Sequence, residues 1–291
     1  MSSHIGTVAR KDFADAGRSR LLWAIIGLLV ALTTIGYVAV WAVTDDASAS
    51  EMLGFVALPL SVLLPVAALI VGYMAVVGER QSGSLKLLLG LPPNRTDVVF
   101  GKLLGRIGVI SAAVVLSFLV ALVLSIVLFG SLPIGDWLAF GAISLLFGLV
   151  FVALAVGVSA GVSSRGRSMA IVIGIYMLFI GLWELVTAGP YYLIHDETPP
   201  VEAETWYLFV QQFNPLQAYA TISTEIVEGN VFPFMFQYGL EPFEAQGMAP
   251  AERVSGEAPF YLQGWFGGVA MLMWALVPVL IGYYRFQRTD L

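Results

Sequence analysis

Side chains able to do acid–base or metal chemistry are scarce in this 291-residue chain. It has no cysteine, and its two histidines, His4 and His195, both lie outside the apolar runs, so neither a thiolate metal site nor a histidine relay can be built within those runs. Gly101 and Lys102 hint at a phosphate-cradling loop, but that loop needs G-x-x-x-x-G-K-[ST] with a hydroxyl to reach magnesium. Here Leu103 follows the lysine and Thr96 stands five residues before Gly101, so the motif fails at both ends. Glu184 is the only acidic residue inside an apolar run, and no basic residue is expected to be buried. A carboxylate within a membrane is a functional candidate by default, and Glu184 is the candidate pathway residue. It also lies about 9 Å from the outer end of its helix by helical rise, within reach of headgroups or a neighbouring donor. One isolated carboxylate makes no proton relay. No catalytic residue and no metal site are expected, and the chain reads as a non-enzyme.

The elements that must position these residues follow from composition. Hydrophobic residues make up 58% and charged residues 12% of the chain, with a mean hydropathy of +0.86; a soluble domain carries about 25% charge. Apolar runs near 21–43, 54–77, 107–130, 137–163, 168–190 and 262–284 each reach the roughly 20 residues that cross a hydrocarbon core. The first is too long for a cleavable signal sequence and lacks a small-residue cleavage site after Trp41. Pro59 and Pro65 in the second run predict a kink there.

Orientation follows from charge. Of the 14 Lys and Arg residues, all but Arg253 flank the runs on the side that carries both chain ends, which the positive-inside rule places in the cytoplasm. The acidic residues Asp45, Asp46, Glu51, Asp136 and those from Asp196 to Glu257 fall on the other side. The expected location is the cell membrane, multi-pass, with cytoplasmic termini. The basic margins are topology determinants and anionic-lipid contacts rather than a nucleic-acid site.

On the cytoplasmic side, residues 4–18 place Ile5, Val8, Ala9, Phe13 and Ala16 on one helical face, predicting an amphipathic helix along the membrane surface. The loop from Gly78 to Arg106 predicts a short leucine-rich helix capped by Ser82 or Ser84 and stopped by Gly90 and Pro92-Pro93. Thr96 then caps a helix from Asp97 to about Phe129, long enough for its first turns to project from the bilayer. The leucine-rich helix has two readings: a surface helix resting on lipid, or a knob that docks into another protein.

Gly101-x-x-x-Gly105 and Gly157-x-x-x-Gly161 have the spacing that lets helix backbones approach closely. The third outer loop, 191–261, is too aromatic for a solvated linker. Asn214 can cap a helix with Pro215 at its first position and Gln217 completing a capping box, with Leu216, Tyr219, Ile222 and Ile226 along one face until Gly229-Asn230. The reading is an interfacial helix over the outer bundle mouth, either a lid or simple packing.

The run Glu79-Arg80-Gln81-Ser82-Gly83-Ser84-Leu85, then Leu88 to Leu91-Pro92, Arg95, and Gly101-Lys102-Leu103-Leu104 resembles the first cytoplasmic loop of type-2 ABC transporter permeases. It looks most like the subgroup that includes the nitrous-oxide-reductase maturation permease, with Ser84 where that pattern often has Thr. The amphipathic start, six spans and the Asn214-Pro215 segment are also similar. The resemblance implies an all-α, polytopic membrane helix bundle with six transmembrane helices, an N-terminal amphipathic interfacial helix, and a large extracytoplasmic loop with a short helix between spans five and six. It implies one permease domain over 1–291, in which 79–92 is a coupling helix seated in a cleft of a separate ATP-binding-cassette ATPase. Glu79, Ser82, Gly83, Ser84, Leu85, Leu88, Leu91 and Pro92 become the partner-binding candidates, with Leu88 an apolar anchor and Glu79 a polar contact or cap. ATP and magnesium would sit on the partner, no cofactor on this chain, and the permease would act as an exporter with a second copy of itself or a paralogue. A membrane-embedded enzyme, an ion-coupled secondary transporter or a non-transport scaffold are the alternatives. The enzyme would need convergent nucleophiles and bases, and the transporter paired ionisable groups near the midplane.

Overall fold

A computed structural model describes residues 4–43, 48–85, 93–227, 231, 235–236, 238–245 and 248–289, and among these no strand forms. The helices are α1 (Ile5–Ala16), α2 (Arg20–Val43), α3 (Ala49–Gly72), α4 (Val77–Ser82), α5 (Arg95–Phe129), α6 (Ile134–Gly161), α7 (Arg165–Met177), α8 (Trp183–His195), α9 (Thr205–Gln212), α10 (Pro215–Ile226) and α11 (Gly264–Gln287). A π-helical turn, Leu178–Leu182, joins α7 to α8. Among the described residues, six helical stretches are long and apolar enough to cross a membrane, the fifth being α7, the π-turn and α8 together. The start of α1 and the end of α11 lie on one face of the bundle, where the His4 N–H meets Asp97 and the Phe286 and Gln287 carbonyls meet Arg95; this is the terminal face, and the opposite one is the far face.

The second and fourth spans form the centre, with 61% of their apolar windows buried against 22% for the first span, whose outward face of Trp23, Leu28, Leu32 and Ile35 suits lipid. Pro59 and Pro65 sit inside an α3 that runs unbroken from Ala49 to Gly72. Glycine decides the closest helix contact. A Cβ on Gly282 would lie 2.0 Å from the Gly157 carbonyl oxygen, and one on Gly157 would lie 2.4 Å from the Pro278 carbonyl. α6 and α11 therefore touch backbone to backbone, the contact predicted by the Gly157–Gly161 spacing.

The long third span begins two residues before the expected Asp97. Its cap is Asn94 rather than Thr96: the Asn94 side chain accepts from the Asp97 N–H, and the Asp97 carboxylate accepts from the Asn94 N–H. Thr96 instead shares a 2.9 Å hydrogen bond with the Tyr283 hydroxyl of α11. Asparagine wins because its short amide reaches its own helix's third N–H, a geometry that satisfies two otherwise orphaned donors at once.

The segment between spans five and six goes deeper than a helix lying over the bundle mouth. α9 leads inward, Phe213 and Asn214 form the tip, and α10 leads out again. Trp274, ten residues or about 15 Å into α11, donates to the Phe213 carbonyl at 2.9 Å. Tyr219 is wholly buried, stacks on Phe147 of α6 at 4.2 Å and shares a 3.0 Å hydrogen bond with Ser144. Asn214 caps α10 through the Leu216 N–H rather than with Gln217, because the backbone N–H that Gln217 would take is already donated to the Gln211 carbonyl at 3.1 Å. The Asn214 amide NH2 reaches the Phe179 carbonyl, 2.8 Å away. α10 ends at Ile226; the Gly229-Asn230 stop lies outside the described residues.

Arg253, the one basic residue on the far side, organises the rest of that segment. It is 3% exposed and donates to the Val201 and Pro200 carbonyls at 2.9 and 3.1 Å, to Gln211 at 3.0 Å and to Glu241 at 3.2 Å. Burial, and then the Glu241 charge, push the Tyr207 phenol far above its ordinary pKa, so Tyr207 stays protonated and its hydroxyl donates a hydrogen bond to Glu241.

Candidate coupling site

The resemblance pointed to the loop after span two, and the structure shows what its near end rests on. α3 stops at Gly72, the chain turns through 73–76, and α4 resumes at Val77. Two serines hold this joint. The Ser159 hydroxyl of α6 accepts from the Val76 and Val77 N–H groups, both at 3.1 Å, and the Ser168 hydroxyl of α7 donates to the Tyr73 carbonyl at 2.6 Å. A side-chain acceptor from another helix thus satisfies the donors that a new helix start exposes.

Glu79, on α4, points inward. One carboxylate oxygen lies 2.7 Å from Lys102 Nζ, which also reaches Asp12 of α1 at 3.3 Å. Asp12 forms a second ion pair with Arg106, 2.7 Å from its Nε, and accepts from its Nη2 at 3.0 Å. The side chains of Lys102 and Asp12 are 4% and 5% exposed. Lys102 is therefore a buried basic residue, against expectation; it lies before the apolar run, and two carboxylates brought by other helices make its burial tolerable. Three helices from separate stretches of chain, α1, α4 and α5, meet at one ammonium.

The glycines of α5 make that meeting possible. A Cβ on Gly101 would stand 2.6 Å from Val8 Cβ, and one on Gly105 would stand 2.9 Å from the Ala9 carbonyl and from Asp12 Cβ. α1 lies in this groove with Val8, Asp12 and Ala16 buried, while Phe13, expected on one apolar face with Val8 and Ala16, is 43% exposed. Asp97 fastens the start of α1 as well, accepting from the His4 N–H at 3.1 Å. A cleft of about 400 Å3 opens beside the cluster, with Asp15, Ser19, Tyr73, Met74 and Glu79 among its walls.

Ser82 and Ser84 turn back rather than forward: both hydroxyls donate to the Glu79 carbonyl, at 3.2 and 3.4 Å, and they lie 2.9 Å from each other. Ser82 is the last residue of α4, and the body of the leucine-rich helix that Ser82 or Ser84 is expected to cap lies outside the described residues. Gly83 ends α4 with φ +78°, a left-handed conformation natural to glycine. Ser84 and Leu85 are helical again, and Leu85 is buried with Val76, Val98, Val99, Ala160 and Phe286. Leu88, Leu91 and Pro92 lie outside the described residues. Where the loop rejoins α5, Arg95 donates to the Phe286 and Gln287 carbonyls at 2.6 and 2.8 Å, closing the end of α11.

Glu184 stands apart from all of these, in the far half of span five. Its carboxylate accepts from the Tyr238 N–H at 2.5 Å and the Leu240 N–H at 2.9 Å, so it ties the far-face segment to the span.

The residues missed from the sequence are Asp12, Lys102, Arg106, Ser159 and Ser168. A signal existed for three of them. Asp12 lies midway between Val8 and Ala16 on one helical line, and Lys102 and Arg106 are four apart beside the glycines that seat it. The two serines carry no local signal, since their partners are backbone groups about 80–95 residues away in sequence.

A family model described as "ABC-2 family transporter protein" matches residues 6–291. Two relatives are each named "Probable ABC transporter permease protein NosY". The one from Stutzerimonas stutzeri is 31% identical over 242 residues, covering 78% of this chain and 84% of the relative. The one from Pseudomonas aeruginosa is 28% identical over 297 aligned positions, covering 98% of each.

Proposed function

We infer that this chain, which belongs to the ABC-2 family of transporter proteins, moves its substrate by converting the motion of an ATP-hydrolysing partner into a rearrangement of its own helices. It is a multi-pass membrane protein and the permease subunit of an ABC transporter; that family membership implies an ATP-binding-cassette partner. The finer reading is that the partner seats residues 79–92, that the terminal face is cytoplasmic, that transport is outward, and that two permease copies or a paralogous pair form the pathway.

The observation that carries this reading is the shared ammonium of Lys102. A lever transmits force only if its base is stiff, and α4 is fixed on three sides: to α5 and α1 by Lys102, and to α6 by Ser159. Displacement of the loop therefore moves α1, α5 and α6 together, as packed elements with discrete arrangements do. The acidic far face and basic terminal face support a cytoplasmic lever. An ion-coupled alternative would need an available intramembrane carboxylate, whereas Glu184 is engaged by two backbone amides.

Purification of the tagged chain from its native membrane tests the reading. A soluble protein with a phosphate-binding loop should accompany it, and Leu88→Asp should abolish that association while leaving membrane insertion intact. A chain that purifies alone in gentle detergent, or an ATPase retained by Leu88→Asp, would sink the coupling assignment.

A further inference from the structure

The π-turn at Leu178–Leu182 lies in the middle of span five, and a wide turn there leaves carbonyls without the i+4 partner that an α-helix would supply. Three consecutive ones are taken up from outside the helix. Asn214, at the re-entrant tip, donates to the Phe179 carbonyl at 2.8 Å; the Phe236 N–H donates to the Ile180 carbonyl at 2.7 Å; and the Tyr238 hydroxyl donates to the Gly181 carbonyl at 2.5 Å. One turn further on, Glu184 holds the Tyr238 and Leu240 amides. Every bond runs between span five and the chain that separates it from span six. Non-helical backbone at membrane depth persists only where such partners satisfy it, and π-turns inside helices concentrate at functional sites.

We propose that the π-turn is one register of a two-state switch, latched by Asn214, Phe236 and Tyr238, and that its closure to α-helix is how the far half of span five moves during transport. Closing the turn shifts α8 by one residue relative to α7, a rotation of about 100° and a rise of about 1.5 Å. That rotation carries Glu184 away from the Tyr238 and Leu240 amides. It also pulls Tyr191 from its ring contacts with Tyr207 and Trp206, at 5.2 and 5.9 Å. Latch and outer ring cluster let go together, which makes the change all-or-none rather than gradual. Asn214 is the pivot: it caps α10 with its carbonyl and holds the π-turn with its NH2, so span five and the re-entrant hairpin sense one another through a single side chain. The gating role rests on the transport reading above; the latch itself does not.

The chain lacks cysteine, so an introduced pair reports alone. A Cβ on Gly181 would meet the Phe236 ring at 3.3 Å, and Gly181→Cys with Phe236→Cys should cross-link in the full chain in lipid nanodiscs under mild oxidant. Adding Glu184→Gln, which keeps the shape but removes the charge that holds two amides, should lower the cross-linking rate at least three-fold. No cross-link in the parent pair, or an equal rate with the glutamine, overturns the latch. With the ATP-binding subunit bound, closing the disulfide should slow ATP turnover at least ten-fold, with recovery on reduction; undiminished turnover overturns the switch. Failure of any ATPase to bind counts against the function proposed above, and the partner-free cross-link still decides the latch.

Discussion

Replacing Lys102 by methionine removes the charge that joins three helices while keeping most of the side-chain volume. The lysine and Asp12 side chains are 4% and 5% exposed, whereas Glu79 is 29% and Arg106 20% exposed. Removing one member of a buried ion pair costs about 3–5 kcal/mol when the other is left without compensation. Here Asp12 keeps Arg106 at 2.7 Å and Glu79 can turn toward water, so the lower end, about 3 kcal/mol, is expected for Lys102→Met. Asp12→Leu alone strands Arg106 and leaves Lys102 with Glu79, at a cost of similar size. The double variant replaces the pair by apolar groups, a change often close to neutral, but it also leaves Glu79 and Arg106 without their partner charges. It should therefore cost about 4 kcal/mol rather than the roughly 6 kcal/mol of the two single changes summed. The two changes should therefore be strongly non-additive, with a coupling of about 2 kcal/mol, within the range for residues in one charge network. Reversible denaturant-induced unfolding of the four proteins in mixed micelles, followed by tryptophan fluorescence, measures the cycle. Additivity to within about 0.5 kcal/mol would show that the ammonium does not join the helices energetically and would remove the stiffness argument for the lever.

Two further substitutions follow from close contacts elsewhere. Gly282→Ala sets a methyl 2.0 Å from the Gly157 carbonyl oxygen; α6 and α11 must separate, and overpacking of about 1–3 kcal/mol should lower the melting temperature clearly, an unchanged melt counting against the contact. Arg253→Leu strips the cation from Glu241 and two carbonyl partners from 200–201. Limited proteolysis between 197 and 257 should accelerate about ten-fold, as expected for local opening made about 1.4 kcal/mol easier, and cleavage sites mapped by mass spectrometry should leave the spans intact. Equal cleavage would show that Arg253 is not the organiser of that segment.

Some of this protein is written along the chain in one dimension. Length of apolar runs and the side on which Lys and Arg fall are local quantities, because lipid demands about 20 apolar residues whatever the neighbours are. The six spans, the amphipathic start, the long third helix and the Asn214-Pro215 cap follow from them, and the glycine pairs marked two close contacts in advance. The tertiary structure alone decided which partners those contacts bring together. That Asp12 faces inward, that Lys102 is buried between Asp12 and Glu79, and that Ser159 caps α4 depend on groups many residues apart in sequence converging in space. The same holds for the tip at Asn214, which reads from sequence as a cap and proves also to hold a carbonyl released by the π-turn. A buried polar group states its need in the sequence, whereas its partner is named only when the chain has folded.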